Sequence, residues 1–282
     1  MAKLKRIARR GEKALRKIVT RPAARARQRA HAREQTDWQR QGAAFADTWL
    51  SPGRCARSDD DNPLRAFFNA RTEGRGIWKW DHYFDVYHWH FERFRGNEVH
   101  ILEIGIYSGG SLDMWHDYFG PHCHVYGVDT QEECLRYQSD STSVFIGDQA
   151  DRDFWRRFRT EVPKLDVVVD DGGHQPHQQA TSLEELLPHL QPGGVYIVED
   201  LHSIGNRFVA YVSGLIQTLN AYRGIADHAN PERRKVSEAA GFQSSIESIH
   251  SYPYAAVIEK RREPLAEFVS PKHGTEWEPF LR

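Results

Sequence analysis

Apolar and polar positions change their period along this chain of 282 residues. Near the N-terminus Leu4, Ile7, Ala8, Gly11, Ala14, Leu15, Ile18 and Val19 recur at three- and four-residue steps, with Lys and Arg on the other side. That period predicts an amphipathic helix, interrupted at Pro22, which has no N–H to donate. Residues 35–96 are crowded with aromatic side chains. Phe84, Tyr87 and Phe91 fall at helical spacing and predict a helix over 79–94, while the run Asp59-Asp60-Asp61-Asn62-Pro63 reads as a loop. From residue 98 short apolar runs alternate with helical patterns. Strands are predicted at 99–104, 122–128, 144–146, 165–169 and 195–198, and helices up to Phe119 and over 151–160, 178–189 and 207–222. Gln191-Pro192-Gly193-Gly194 reads as a turn, and 244–249 with 254–258 as a closing antiparallel pair. The alternation predicts an α/β fold, a mostly parallel sheet with helices on both faces.

Four segments are therefore expected: a basic arm over 1–34, an aromatic-rich helical subdomain over 35–96, an α/β domain over 97–262 and a tail over 263–282. The helical subdomain is expected to pack on the α/β domain or over its mouth.

Composition narrows the picture. Lys+Arg number 38 and Asp+Glu 39, for a net charge of −1, which excludes a histone-like chain, and 39% hydrophobic residues support a real core. Cys55, Cys123 and Cys134 are odd in number and form no C-x-x-C pair, so neither a disulfide framework nor a thiolate zinc site is suggested. No apolar run reaches membrane-spanning length. The neutral total hides an asymmetry. Residues 1–34 carry a charge of +11 and the remainder −12. The arm reads as a solvated tail or as a helix lying on an anionic membrane surface, nucleic acid being the less favoured partner. A cytoplasmic protein is expected, peripheral at the inner face of the membrane if the arm docks there. A homo-oligomer is left open.

Ligands of open α/β sheets bind beyond the carboxyl ends of the strands. The first such end reads Leu102-Glu103-Ile104-Gly105-Ile106-Tyr107-Ser108-Gly109-Gly110-Ser111, a Glu-x-Gly-x-x-x-Gly turn rather than a dinucleotide-binding G-x-G-x-x-G. Asp129 closes the second strand, 24 residues after Gly105, where a carboxylate can accept hydrogen bonds from a ribose diol. The fourth strand ends in Asp170-Asp171-Gly172-Gly173-His174 and the fifth in Glu199-Asp200-Leu201-His202. In a parallel sheet these ends share one edge. Carboxylates that close would repel and take up protons unless a hard cation such as Mg²⁺ lay among them. Asp171, Glu199 and Asp200 are the best ligand candidates, and a neutral His174 nearby suits a general base.

The turn and Asp129 resemble the cofactor motif of class I S-adenosylmethionine-dependent methyltransferases. The resemblance implies their Rossmann-like fold with a seven-stranded sheet. It places Glu103, Gly105, Tyr107, Gly109, Ser111 and Asp129 around the methionine and ribose, and Asp148 and Gln149 by the adenine. Asp170 is expected to reach the cofactor or to order its loop. Asp171-x-x-His174 followed by Glu199-Asp200 is similar to a narrower group, the Mg²⁺-dependent sugar O-methyltransferases that modify macrolide sugars. That resemblance spans residues 78–205 and includes Trp80-x-His82-Tyr83-Phe84. It implies S-adenosylmethionine and Mg²⁺ as cofactors, Asp171, Glu199 and Asp200 as metal ligands, His174 as base, and a sugar-containing acceptor. Lys79, Trp80, His82, Tyr83 and His202 are expected either to close over cofactor or substrate or to pack. A catechol-type methyltransferase, a hydroxylase of the cephalosporin type and a non-catalytic scaffold are the competing readings.

Overall fold

The computed structural model describes residues 33–49, 62–202, 207–221, 235–271 and 273–274. The chain divides between Asp60 and Asp61 into two compact units. In the first, a helix over residues 33–46 (α1) is described, and its Trp38 and Phe45 are exposed. The arm expected over 1–34 lies almost wholly outside the described residues. No helix among the described residues is long and apolar enough to cross a membrane.

The second unit begins with α2 (Pro63–Ala70). Asn62 starts it, its side chain accepting from the N–H groups of Leu64 and Arg65, with Pro63 at the first helical position. The Asn62 amide also donates to the Phe84 carbonyl at 2.9 Å and so ties α2 to α3 (Tyr83–Phe91). A sheet then builds from β1 (Val99–Ile104), β2 (Cys123–Asp129), β3 (Thr142–Ile146), β4 (Leu165–Asp170) and β5 (Leu190–Val198). It is completed by β7 (Ile246–Tyr252) and β8 (Ala255–Lys260), in the order β3-β2-β1-β4-β5-β8-β7. β1 to β5 are parallel, and β8 is antiparallel to both β5 and β7. This is the expected seven-stranded α/β sheet with its closing hairpin.

Both faces are covered, and the pleat sorts the side chains. Ile101, Val167, Val169 and Ile197 face one core with α2, α3 and α4 (Gly110–Phe119). Leu102, Ile104, Val168 and Val198 face the other with α5 (Arg152–Glu161), α6 (Pro176–Leu186) and α7 (Arg207–Leu219). Alternate residues of a strand point to opposite faces, so continuous apolar runs are what a doubly covered sheet needs.

Three expectations change. Residues 62–96 are not a separate subdomain; Leu64, Tyr83, Phe84, Tyr87 and Phe91 are fully buried in the first core, and the chain divides at 60/61 instead of 96/97. Gln191–Gly194 is not a turn but an irregularity inside β5, where pairing with β4 shifts between Leu165 and Val167 and Gly193 takes φ +80°. Within the expected tail, β9 (Glu267–Ser270) pairs with β6 (Lys235–Glu238) as a two-stranded sheet.

Candidate active site

The carboxyl ends of the parallel strands open into a cleft of about 840 Å³. Its wall at β1 is the glycine turn. Gly105 has φ +83° and donates its N–H to the Val128 carbonyl at 2.8 Å. A Cβ there would stand 2.2 Å from the Asp171 carbonyl oxygen, so the close approach of β1 and β4 loops requires glycine. Asp129 organises this turn as well as lining the cleft. Its Oδ2 accepts from the N–H groups of Ile106 and Tyr107, both at 3.1 Å, and its Oδ1 from Gln131 at 3.0 Å. Oδ2 is thus fully used by the turn, and Oδ1 retains a lone pair for a ligand hydroxyl. Tyr107 and Asp148 are exposed at the rim, and Gly105, Ser111 and Gln149 also line the cleft.

At the other end Asp171, His174 and Asp200 bring ligand atoms within 4.8 Å of one another. His174 Nε2 lies 3.6 Å from Asp200 Oδ2 and 4.0 Å from Asp171 Oδ1. Its Nδ1 is buried with no hydrogen-bond partner among the described residues. His174 and Asp200 both take positive φ, +54° and +59°, an uncommon conformation that clusters at functional sites. Asp200 is fixed from behind. Trp80 Nε1 donates to its Oδ1 at 3.0 Å, and its own N–H donates to the Tyr83 hydroxyl at 3.1 Å. His202 is half-exposed, with Nε2 4.0 Å from Asp200 Oδ2.

Glu199 belongs to a different cluster. Its carboxylate accepts from the Tyr87 hydroxyl at 2.5 Å and from Lys79 Nζ at 3.2 Å. Lys79 is 3% exposed and also reaches Asp171 Oδ2 at 2.7 Å and Glu103 Oε1 at 3.2 Å. Burial alone would pull the Lys79 ammonium down, but Asp171, Glu199 and Glu103 outweigh it and hold it well above the ordinary lysine range. Burial in turn pushes Glu103 and Glu199 above the usual carboxylate range. Three carboxylates thus meet one ammonium, with Asp200 next in the chain to Glu199.

Several residues expected to touch ligands do not line the cleft. Glu103 is fully buried and accepts from Ser111 Oγ at 2.6 Å and Trp115 Nε1 at 3.2 Å. Asp170 faces the second core, not the cofactor wall. It accepts from Gln149 Nε2 at 2.9 Å, Ser182 Oγ at 2.5 Å and Tyr196 hydroxyl at 3.1 Å, and burial raises its pKa. Gly109 approaches the ring of Tyr137, and His82 Nε2 donates to the Pro253 carbonyl at 2.9 Å. Gln149 spends its other amide atom on the Gly173 N–H at 2.7 Å, so it holds the loop that carries His174. Lys79 and Tyr87 are the site residues to which sequence reasoning assigns no definite role.

In sequence and fold the chain is similar to known proteins. Residues 102–201 match a family described as a methyltransferase domain. The chain is 33% identical over 202 residues to the 8-demethyl-8-(2-methoxy-alpha-L-rhamnosyl)-tetracenomycin-C 3'-O-methyltransferase of Streptomyces olivaceus, covering 66% of this chain and 50% of that protein. It is 34% identical over 132 residues to the mycinamicin VI 2''-O-methyltransferase of Micromonospora griseorubida, covering 42% and 33%. The solved structure of the MycE methyltransferase from the mycinamycin biosynthetic pathway, in complex with Mg and SAH, superposes with a TM-score of 0.57. That match has 26% identity and covers 73% of this chain and 55% of that one. Residues 102–201 thus match a methyltransferase-domain model, and the chain is similar to sugar O-methyltransferases. It spans about half the length of the first curated relatives it matches.

Proposed function

We propose that the chain transfers the methyl group of S-adenosylmethionine to a hydroxyl of a sugar carried by a natural product or other glycoconjugate, with Mg²⁺ as a resident cation and His174 as the base. The observation that carries this reading is the meeting of Asp171, His174 and Asp200 within 4.8 Å, in the same cleft as the Gly105 turn and Asp129. The donor set fits a hard cation: carboxylate oxygens of Asp171 and Asp200 face one gap, with Glu199 adjoining them across Lys79. Asp171 and Asp200 would hold it, and Glu199 would join them by sharing a carboxylate now bound to Lys79 and Tyr87. Bound there, Mg²⁺ would lower the pKa of a sugar hydroxyl.

The chain's own residues do the rest. Asp129 would accept from a ribose hydroxyl of the cofactor at Oδ1, with Gly105, Tyr107 and Ser111 along its amino-acid end and Asp148 and Gln149 beside the adenine. His174 takes the acceptor's proton at Nε2, where the resulting imidazolium lies between Asp171 and Asp200. The freed oxygen then attacks the sulfonium methyl, leaving a neutral thioether. Positioning supplies much of the acceleration, because the sulfonium is already activated. The names of the relatives, among them a methoxy-rhamnosyl and a mycinamicin methyltransferase, support a glycosylated acceptor.

The test is transfer of labelled methyl from S-adenosylmethionine to rhamnosylated and macrolide-glycoside acceptors, with EDTA and with Mg²⁺ restored. The reading expects transfer that EDTA abolishes and Mg²⁺ rescues. Transfer indifferent to EDTA removes the metal from the account, and transfer to catechols alone moves the acceptor class.

A further inference from the structure

The cleft beside the carboxylates is walled by aromatic side chains that the methyl-transfer chemistry leaves unused. Trp80 is 47% exposed, yet its indole is not free to turn. Its Nε1 is anchored on Asp200 Oδ1 at 3.0 Å, and its ring lies 5.3 Å from that of Tyr254 and 6.0 Å from that of His202. Tyr254 closes the cluster, 5.6 Å from His202. It sits at the β7–β8 turn with φ +65°, a left-handed conformation that a tyrosine rarely adopts. That backbone is pinned: the Tyr254 carbonyl accepts from the Leu201 N–H at 2.8 Å and lies 3.0 Å from the Tyr83 hydroxyl. A strained backbone and a locked, half-exposed indole meet at one place.

The position of the cluster says what it faces. Asp200 links it to the reacting groups, one oxygen holding the Trp80 indole and the other lying 3.6 Å from His174 Nε2. A pyranose whose hydroxyl edge reaches Asp200 and His174 has its C–H face within reach of the Trp80 ring. Rigid aromatic surface gives large contact area at low entropic cost, and a ring with fewer hydroxyls loses less hydration on covering it.

We propose that Trp80, supported by Tyr254 and His202, is a stacking subsite for the apolar face of the acceptor's pyranose ring. This rests on the sugar O-methyltransferase reading and deepens it. Two variants separate stacking from the anchoring of Asp200. Trp80→Phe keeps an aromatic face and loses Nε1; Trp80→Leu loses both. The full-length chain is titrated calorimetrically with methyl α-L-rhamnopyranoside at saturating S-adenosylhomocysteine and Mg²⁺, and the affinities for S-adenosylhomocysteine and S-adenosylmethionine are measured for each variant. Stacking predicts about tenfold weaker sugar binding for Trp80→Leu, about threefold for Trp80→Phe and unchanged cofactor affinities. Equal losses for the two variants reduce Trp80 to an anchor of Asp200 and overturn the subsite. A loss confined to S-adenosylmethionine assigns the ring to the sulfonium as a cation–π partner and also overturns it. A wild-type chain that binds S-adenosylhomocysteine but no rhamnoside overturns the subsite and leaves methyl transfer standing. A chain that binds no S-adenosylhomocysteine overturns both.

Discussion

Lys79→Met removes the ammonium from between Glu103, Asp171 and Glu199 while keeping most of the side-chain volume. Nζ lies 2.7 Å from Asp171 and 3.2 Å from each of the other two carboxylates, in a side chain 3% exposed. Breaking a buried ion pair by deleting one partner costs about 3–5 kcal/mol, because the remaining charge stays desolvated. For a unit of this size that lowers Tm by about 10 °C. Burial already holds Glu103 and Glu199 above the usual carboxylate range, and without Lys79 they rise further. The folded variant then binds more protons than its unfolded chain, so its stability falls as pH rises through those folded values. The deficit against wild type should therefore be larger at about pH 8 than at about pH 5.5. Mg²⁺ should shrink it by restoring positive charge to the same carboxylates. Urea and thermal unfolding in EDTA, at both pH values and with Mg²⁺ added back, read all three effects. A deficit below about 1 kcal/mol in EDTA at the higher pH, or one independent of pH, would refute the charge cluster as described.

Gly105→Ala should abolish S-adenosylhomocysteine binding and destabilise the fold, since its Cβ would meet the Asp171 carbonyl at 2.2 Å on a backbone with φ +83°; calorimetry and thermal unfolding check both, and normal binding contradicts the turn geometry. Glu259 is held at a pKa of about 2, down from an ordinary 4.5, by its hydrogen bonds to His90 at 2.8 Å and Arg93 at 3.1 Å. Its folded pKa is depressed, so its contribution is fully present above about 4.5 and fades as pH falls toward 2. Glu259→Gln should accordingly cost up to about 3 kcal/mol near neutrality and progressively less in acid. A cost that stays constant from neutral pH to about pH 3 contradicts that staple between α3 and the hairpin.

The sheet and its ligand edge are legible in the sequence because buried parallel strands are written as apolar runs that stop at Gly or Asp. Asp129, Asp171 and Asp200 all fall on such stops and all line the cleft. The pleat also holds information that motif reading passes over. Glu103, Asp171 and Glu199 share strand parity with Ile101, Val169 and Ile197, which face the core of α3; Asp170 shares parity with Val168, which faces α6. Counting by twos separates Asp170 from the other three and places it against Ser182 and Tyr196. Lys79 is not legible. Its partners lie 24, 92 and 120 residues away, and nothing local distinguishes it from a solvated lysine between two tryptophans. Helix α2 escapes the pattern because Asn62-Pro63 signals both the end of a loop and the start of a helix. The Gln191–Gly194 segment reads as a turn because Pro and Gly break ladders, whereas β5 absorbs them as an irregularity beside β4.

The central claim is that His174 moves the acceptor's proton. Single-turnover methyl transfer by His174→Gln, at saturating Mg²⁺ and with S-adenosylhomocysteine affinity measured alongside, tests it most directly. The account predicts a rate reduced by about 10²-fold or more with cofactor affinity retained. Transfer at the wild-type rate with the cofactor bound normally would contradict it.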